Sequence, residues 1–307
     1  MPKARSLANS GELMMKFLED RRHLSSIVNY VSYSEEERPH LLIAHPAILA
    51  TFMGYLKFQT HTIKNKEVFF RGQTENYKSI IPSLLRGDDF ERINKRSKAF
   101  EALKIKAKEK FSPTRFKNET IDNLFQHYGI KSKTLDLVDN LYVAIWFATN
   151  KWEAMQGFHS LCTYKPSTEK YGWIYFMHVE RPRVNNKIMF DSPKFTGFCD
   201  LRKFHSSLSA RLHCQHGITY FRNNNGIWTE KNRCFDNKII AVVKFPNSEE
   251  FRMNGTIFTK EFLFPNSQID NTYKLFMDDD FKELIRSIEV QYQLDEGELG
   301  KIWVYNF

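Results

Sequence analysis

Cysteine is scarce in this chain. Cys162, Cys199, Cys214 and Cys234 are the only four in 307 residues, and no two of them form a Cys-x-x-Cys pair. Such usage fits a reducing, cytoplasmic setting rather than a disulfide framework. Long apolar runs are also missing. None reaches eighteen residues, so no transmembrane helix is expected, and the first residues, MPKARSLANSGELMMKF, lack the apolar core of a secretory signal. Nor does the chain contain Gly-x4-Gly-Lys-Ser/Thr, Gly-x-Gly-x-x-Gly, His-Glu-x-x-His or Gly-x-Ser-x-Gly strings. Their absence sets aside kinase, P-loop NTPase, dinucleotide oxidoreductase, zincin and α/β-hydrolase chemistry. The string His213-Cys214-Gln215-His216 has no second ligand pair, so no metal site is expected.

What is present is apolar and basic. Hydrophobic residues make up 42% of the chain and aromatics 15%, with 27 Phe, which is enough for a substantial core. The formal net charge of +9 favours a polyanionic partner, nucleic acid or an acidic protein. Residues 86–119 concentrate that charge, with eleven Lys/Arg against six Asp/Glu. Taken alone, such a run reads first as a solvated helix face.

Residues 10–60 read as helical. Ser10 serves as a cap, Leu13, Met14, Phe17, Leu18, Leu24 and Ile27-Val28 recur at helical spacing, and a second helix opens at Pro46. A strand is expected over 67–71, with helices near 90–110 and 118–128. Residues 141–152 (LYVAIWFATNKW) place Leu141, Ala144, Ile145 and Ala148 on one helical face. Beyond residue 158 the pattern is of strands (SLCTY, GWIYFMHV, ITYFR, KIIAVVKF, TIFTKEFLF), then a helix over 279–292 and a terminal strand. The expected fold is therefore α+β, a mixed or antiparallel central sheet flanked by helices. Residues 1–60 are expected as an N-terminal helical extension and 61–307 as the main domain.

Three constellations carry the chemistry. The first is Phe69-Phe70-Arg71-Gly72-Gln73, followed by Tyr77 and Ile81-Pro82-Ser83-Leu84-Leu85-Arg86. An arginine closing a buried strand calls for an anion or a carbonyl, and the glycine beside it leaves room for a ligand or a second backbone. The second is Gln126-His127-Tyr128-Gly129-Ile130 with Thr134-Leu135-Asp136 behind it. The third runs Arg211-Leu212-His213-Cys214-Gln215-His216-Gly217.

Together these strings resemble the FRG domain family, named for its Phe-x-Arg-Gly signature, over roughly residues 60–245. The family usually has Asn-Pro where this chain has Asn140-Leu141, which leaves the start of the following helix less fixed. The aromatic-x-Arg-Gly strand is also similar, more weakly, to the first motif of arginine-type ADP-ribosyltransferases, in which the arginine holds the NAD phosphates. Those enzymes end on a strand bearing a catalytic Glu, and Glu261 in Thr259-Lys260-Glu261-Phe262-Leu263-Phe264-Pro265 fits that position. Thr259 stands where those enzymes carry Glu or Gln, which argues against arginine side chains as acceptors, and the central Ser-Thr-Ser motif is missing.

The resemblance implies an ADP-ribosyltransferase-like fold and an NAD-dependent ADP-ribosyltransferase, a bacterial toxin or antiphage effector. NAD would be the substrate, no metal is involved, nucleic acid (RNA or DNA) is the preferred acceptor, and a neutralising antitoxin is the partner. Cleavage at the ribose passes through an oxocarbenium-like centre that a carboxylate stabilises. Arg71 and Glu261 are then the catalytic pair. Arg71, Gly72, Gln73, Gln126, His127, Tyr128, Asp136 and Gln215 would bind the cofactor, with Tyr128 stacked on a base or on nicotinamide.

The same residues have plainer roles. Arg71 can pair with Asp136, Glu261 can sit exposed on a strand edge, His127 can be a core histidine, and Asp136 can cap a turn. A non-catalytic nucleic-acid-binding module and an NAD glycohydrolase are the alternative functions.

Overall fold

The computed structural model describes residues 3–31, 38–61, 66–111, 121–155, 161–180, 196–222, 227–253 and 258–305. The chain opens with α1 (Lys3–Glu19), β1 (Val28–Val31), β2 (His40–Ile43) and α2 (Pro46–His61). Then come β3 (Lys66–Gln73), α3 (Phe90–Phe111), α4 (Ile121–His127), β4 (Leu135–Val138) and α5 (Leu141–Thr149). Next are β5 (Asn150–Ala154), β6 (Leu161–Pro166), β7 (Tyr171–Glu180) and β8 (Thr196–Asp200). Two short helices, α6 (Leu201–Phe204) and α7 (Ala210–Cys214), lead to β9 (Gly217–Arg222), α8 (Glu230–Arg233) and β10 (Ile239–Pro246). The chain closes with α9 (Glu249–Arg252), α10 (Lys260–Leu263), α11 (Asn271–Met277), α12 (Asp279–Gln291) and β11 (Val304–Tyr305).

The expected α+β class is what the structure has. Eight strands form one sheet in the order β1-β2-β10-β7-β3-β4-β9-β8, and β11-β6-β5 form a second. In the large sheet β2 and β10 run parallel and every other pair is antiparallel. One face of the sheet packs α1, α2 and α5 over Phe70, Phe176 and Phe245. The other carries Phe69, Leu135, Leu137, Tyr175 and Tyr220. A separate cluster joins α3, α4, α11 and α12 through Phe100, Phe125, Tyr128, Phe276 and Phe281.

Local chemistry sets these elements. Pro46 begins α2, where a missing N–H costs nothing. Asn140 caps α5, its side chain accepting from the Tyr142 and Val143 amides, so the helix start is fixed without a proline. Asp278 caps α12, with Asp279 and Asp280 in its positive first turn.

Several expectations change. Residues 10–60 are not helical throughout: Val28 and the run His40–Ile43 lie in strands, because β2 extends the sheet beside β10 and its largely buried apolar residues are covered there. Ser10 is inside α1 rather than at its cap. The strand expected around Glu261 is a helical turn, because the Thr259 hydroxyl accepts from the Phe262 amide and turns the chain; residues 254–257 before it lie outside the described residues, as do 112–120 at the end of the basic run. Asp136 is not a turn cap: it lies within β4, in register with Thr219.

Part of the basic run, within α3, forms a paired helix face. On α3, Arg92 reaches Asp295 and Glu298 at 2.5 Å, Lys104 reaches Asp122 at 2.6 Å and Glu101 at 3.0 Å, and Lys110 reaches Asp280 at 3.4 Å. The charge concentrated in that stretch thus ties α3 to α4, α12 and the residues after α12.

Candidate anion-binding pocket

β3 and β4 share one register pair, Phe70 with Val138. Beyond it, a pocket of about 270 Å³ opens where Arg71 meets the loops that precede α3 and β4. It is lined by Arg71, by Ile81, Pro82, Ser83 and Arg86, and by Gln126, Gly129, Ile130, Lys131, Thr134, Leu135 and Asp136. The first two constellations read from the sequence therefore form one cavity.

The loops are locked together by backbone groups. The Leu84 amide donates to the Ser132 carbonyl at 3.1 Å, and the Ser132 amide donates to Ser83 Oγ at 3.2 Å. Gln126 Oε1 accepts from Thr134 Oγ1 at 2.5 Å and also from the Ser132 hydroxyl. Gly129 has φ of +102°, and a Cβ there would collide with the Lys301 carbonyl. The Lys131 amide completes the link to the C-terminal segment by donating to the Leu299 carbonyl at 2.8 Å.

Three cations and one carboxylate line the cavity. Arg71 Nη1 donates to the backbone carbonyl of Asp136 at 2.7 Å, so the expected pairing is with a carbonyl rather than the carboxylate. Its buried Nε has no hydrogen-bond partner among the described residues. Burial pushes the Arg71 guanidinium below its ordinary pKa; Asp136 pulls the other way and Arg86 adds to the depression. Burial likewise lowers Lys131, with Arg96 contributing. Charges left this poorly solvated favour an anion that supplies oxygens to them.

Other residues expected at the site lie elsewhere. Gly72 turns toward α5, where a Cβ would collide with the Ala144 carbonyl, so its small size serves the close approach of a second backbone. Gln73 is buried beside Trp173 in the strand pairing and does not line the pocket. Tyr128 is core: its hydroxyl donates to Asp270 Oδ2 at 2.8 Å, and its ring stacks on Phe276 at 4.9 Å between centroids, so it is not open to a base. Burial, reinforced by Asp270, holds its pKa well above the ordinary value. Glu261 is 53% exposed on α10, with Lys260 Nζ at 4.0 Å, and is not among the lining residues.

His127 and Gln215 stand behind the pocket. His127 Nε2 lies 3.5 Å from Asp136 Oδ1, and its Nδ1 is 3.0 Å from Gln215 Oε1. Arg86, Ser83 and Lys131 are among the pocket residues given no site role from the sequence; their place beside the Arg71 and Gln126 motifs was the available signal. No helix among the described residues is long and apolar enough to cross a membrane.

No curated protein and no solved structure matches the chain. The family model of the FRG domain does match, over residues 66–156. Every residue lining the pocket falls inside that segment, whereas Arg211, Gln215 and Gly217 fall outside it. Residues 66–156 carry the FRG domain, and of its Phe-x-Arg-Gly signature Arg71 lines the pocket.

Proposed function

We propose that this pocket holds the phosphate-bearing part of NAD and that the protein is an NAD-dependent ADP-ribosyltransferase. The observation that carries the reading is the convergence of Arg71, Arg86 and Lys131 on one cavity that also contains Asp136. A diphosphate would satisfy the buried guanidinium through a planar fork of donors. A carboxylate in the same cavity would oppose the positive charge that develops at the ribose carbon as nicotinamide leaves. Asp136 takes the role first given to Glu261, which lies outside the lining. At about 270 Å³ the cavity suits a phosphate and sugar rather than a whole dinucleotide, with the bases outside it.

The net charge of +9 supports nucleic acid as the acceptor. An activity of this kind fits a toxin or antiphage effector, which would need a neutralising protein partner in the cell that makes it. The exposed position of Glu261 favours a second reading, a non-catalytic module that grips nucleic-acid phosphates in the same pocket.

The test is incubation of the protein with labelled NAD and cellular RNA, DNA and protein, beside Arg71→Ala. Transfer reading expects label in one acceptor fraction, lost in the variant. Free nicotinamide without a labelled acceptor identifies a glycohydrolase. Intact NAD with a folded protein overturns enzymatic readings, and a salt-dependent loss of RNA binding in Arg71→Ala then supports the module.

A further inference from the structure

Three residues of the third constellation, Arg211, Gln215 and Gly217, converge on one residue, His127. Arg211, buried at the start of α7, donates from Nη1 to the His127 carbonyl at 2.9 Å. Gln215 meets His127 Nδ1 at 3.0 Å. Gly217 lies under the ring: a Cβ there would stand 3.2 Å from Cε1 and 3.3 Å from Nε2. The sequence Arg-x3-Gln-x-Gly is thus a clamp around His127, with Arg211 on its backbone and Gln215 and Gly217 on its imidazole.

The clamp also selects the tautomer. Gln215 Nε2 donates to the Leu263 carbonyl at 2.8 Å, which can only accept. Flipping the amide would set two oxygens against each other, so Oε1 faces His127 and the proton of that bond sits on Nδ1. A neutral imidazole protonated on Nδ1 presents a lone pair at Nε2. That lone pair faces another acceptor, Asp136 Oδ1, at 3.5 Å. Both atoms are buried and neither has another hydrogen-bond partner among the described residues. The His127 side chain is 4% exposed, so water does not relieve the contact. Two facing acceptors inside a protein are costly unless a proton lies between them.

We propose that His127 Nε2 and Asp136 Oδ1 hold one proton between them, and that His127, clamped by Arg211, Gln215 and Gly217, is the positioning residue for the pocket's carboxylate. The charged groups facing the pair are Arg71, on the Asp136 carbonyl, and Arg211, on the His127 carbonyl. The arrangement orients Asp136 from behind while its side chain, 37% exposed, remains accessible to a ligand. The proposal rests on the preceding reading in taking Asp136 as the carboxylate that acts in the pocket.

The experiment is long-range proton–nitrogen correlation NMR on the full chain labelled at histidine nitrogens, with the His127 signals identified by their loss in His127→Gln. The wild type is expected to show a protonated Nδ1 and an Nε2 shifted away from the free lone-pair position. Asp136→Asn should return Nε2 to an acceptor and leave Nδ1 protonated, while Gln215→Leu should release the Nδ1 tautomer. A wild-type His127 protonated on Nε2 alone, or with a free Nε2 lone pair, overturns the proposal. These readouts need no ligand. Binding of ADP-ribose to wild type and Arg71→Ala separately tests the pocket, and His127→Gln should bind ADP-ribose within twofold of wild type while turning over at least tenfold more slowly. A His127→Gln loss confined to ADP-ribose affinity would also overturn the positioning role.

Discussion

Arg71 and Gly72 are neighbours in the chain and face opposite demands. Arg71 reaches across the gap between β3 and β4 to a carbonyl and ends in a polar cavity. Gly72 lies against the backbone of α5, among side chains that exclude water. Side chains alternate along a strand, so one dipeptide can serve a ligand on one side and the closest helix contact of the core on the other. The lesson is that the two halves of the Arg-Gly signature do separate work, and they should separate by mutation.

The largest effect belongs to the glycine. Gly72→Ala places a methyl group on the Ala144 carbonyl, and neither backbone can move without shifting α5 from the sheet. The expected loss is about 4 kcal/mol or more, a fall in Tm of roughly 6 °C or more for a chain of this size, measured by thermal unfolding. An unchanged Tm would mean that α5 does not lie this close to β3.

Next comes the arginine, which should fail in the opposite way. Arg71→Ala loses one hydrogen bond but also the cost of burying a guanidinium, so stability should move by about 1 kcal/mol. ADP-ribose affinity should fall at least ~30-fold, about 2 kcal/mol. Arg71→Lys should recover little, because an ammonium cannot reproduce the planar fork. Calorimetry on both variants breaks the comparison if Arg71→Ala loses stability and keeps its ligand.

How far these roles were legible depends on whether their cause is local. Helix α5 and strands β3, β7, β9 and β10 follow from apolar periodicity and from caps such as Asn140, all within a few residues. The FRG strings pointed to Arg71, Gln126 and Asp136, and these three share the pocket. Tyr128 and Glu261 could not be placed in that way. The fate of Tyr128 depends on Asp270, 142 positions away in sequence, and that of Glu261 on a hydroxyl at Thr259 that converts an apolar run into a helical turn. Strands β1 and β2 did not show in the local pattern because β2 is held by β10, far along the chain, with β1 added outside it, and tertiary context overrides short patterns.

Charge repeats the comparison on a wider scale. On α3, Arg92, Arg96, Lys104 and Lys110 pair with carboxylates, whereas three cations line the pocket with one carboxylate, Asp136. At Glu101 burial raises the pKa, but Lys133 and Lys104 outweigh it and hold the carboxyl below its ordinary value. Between its folded and unfolded pKa values the unfolded chain binds more protons, so this contribution is present above the ordinary carboxylate range and is lost as pH falls through the folded value. Glu101→Gln should therefore flatten the acid limb of a stability-against-pH curve below about pH 4 and leave ADP-ribose binding unchanged. A loss of binding would show that α3 and the pocket are one electrostatic unit rather than two.

The smallest effect is expected at Glu261. Its helix, α10, does touch the site, but through the Leu263 carbonyl that orients Gln215, not through the Glu261 side chain. That side chain is exposed, and its ion pair with the neighbouring Lys260, at 4.0 Å, is a contact that water and salt screen. Glu261→Gln should change stability by less than about 0.5 kcal/mol and leave turnover within twofold of wild type. Asp136→Asn, by contrast, should abolish turnover while ADP-ribose still binds. Assaying the two carboxylates side by side decides between them, because each is changed to its amide with the backbone untouched. Loss of turnover in Glu261→Gln with the fold intact would return the catalytic carboxylate to α10 and leave Asp136 as part of the pocket wall.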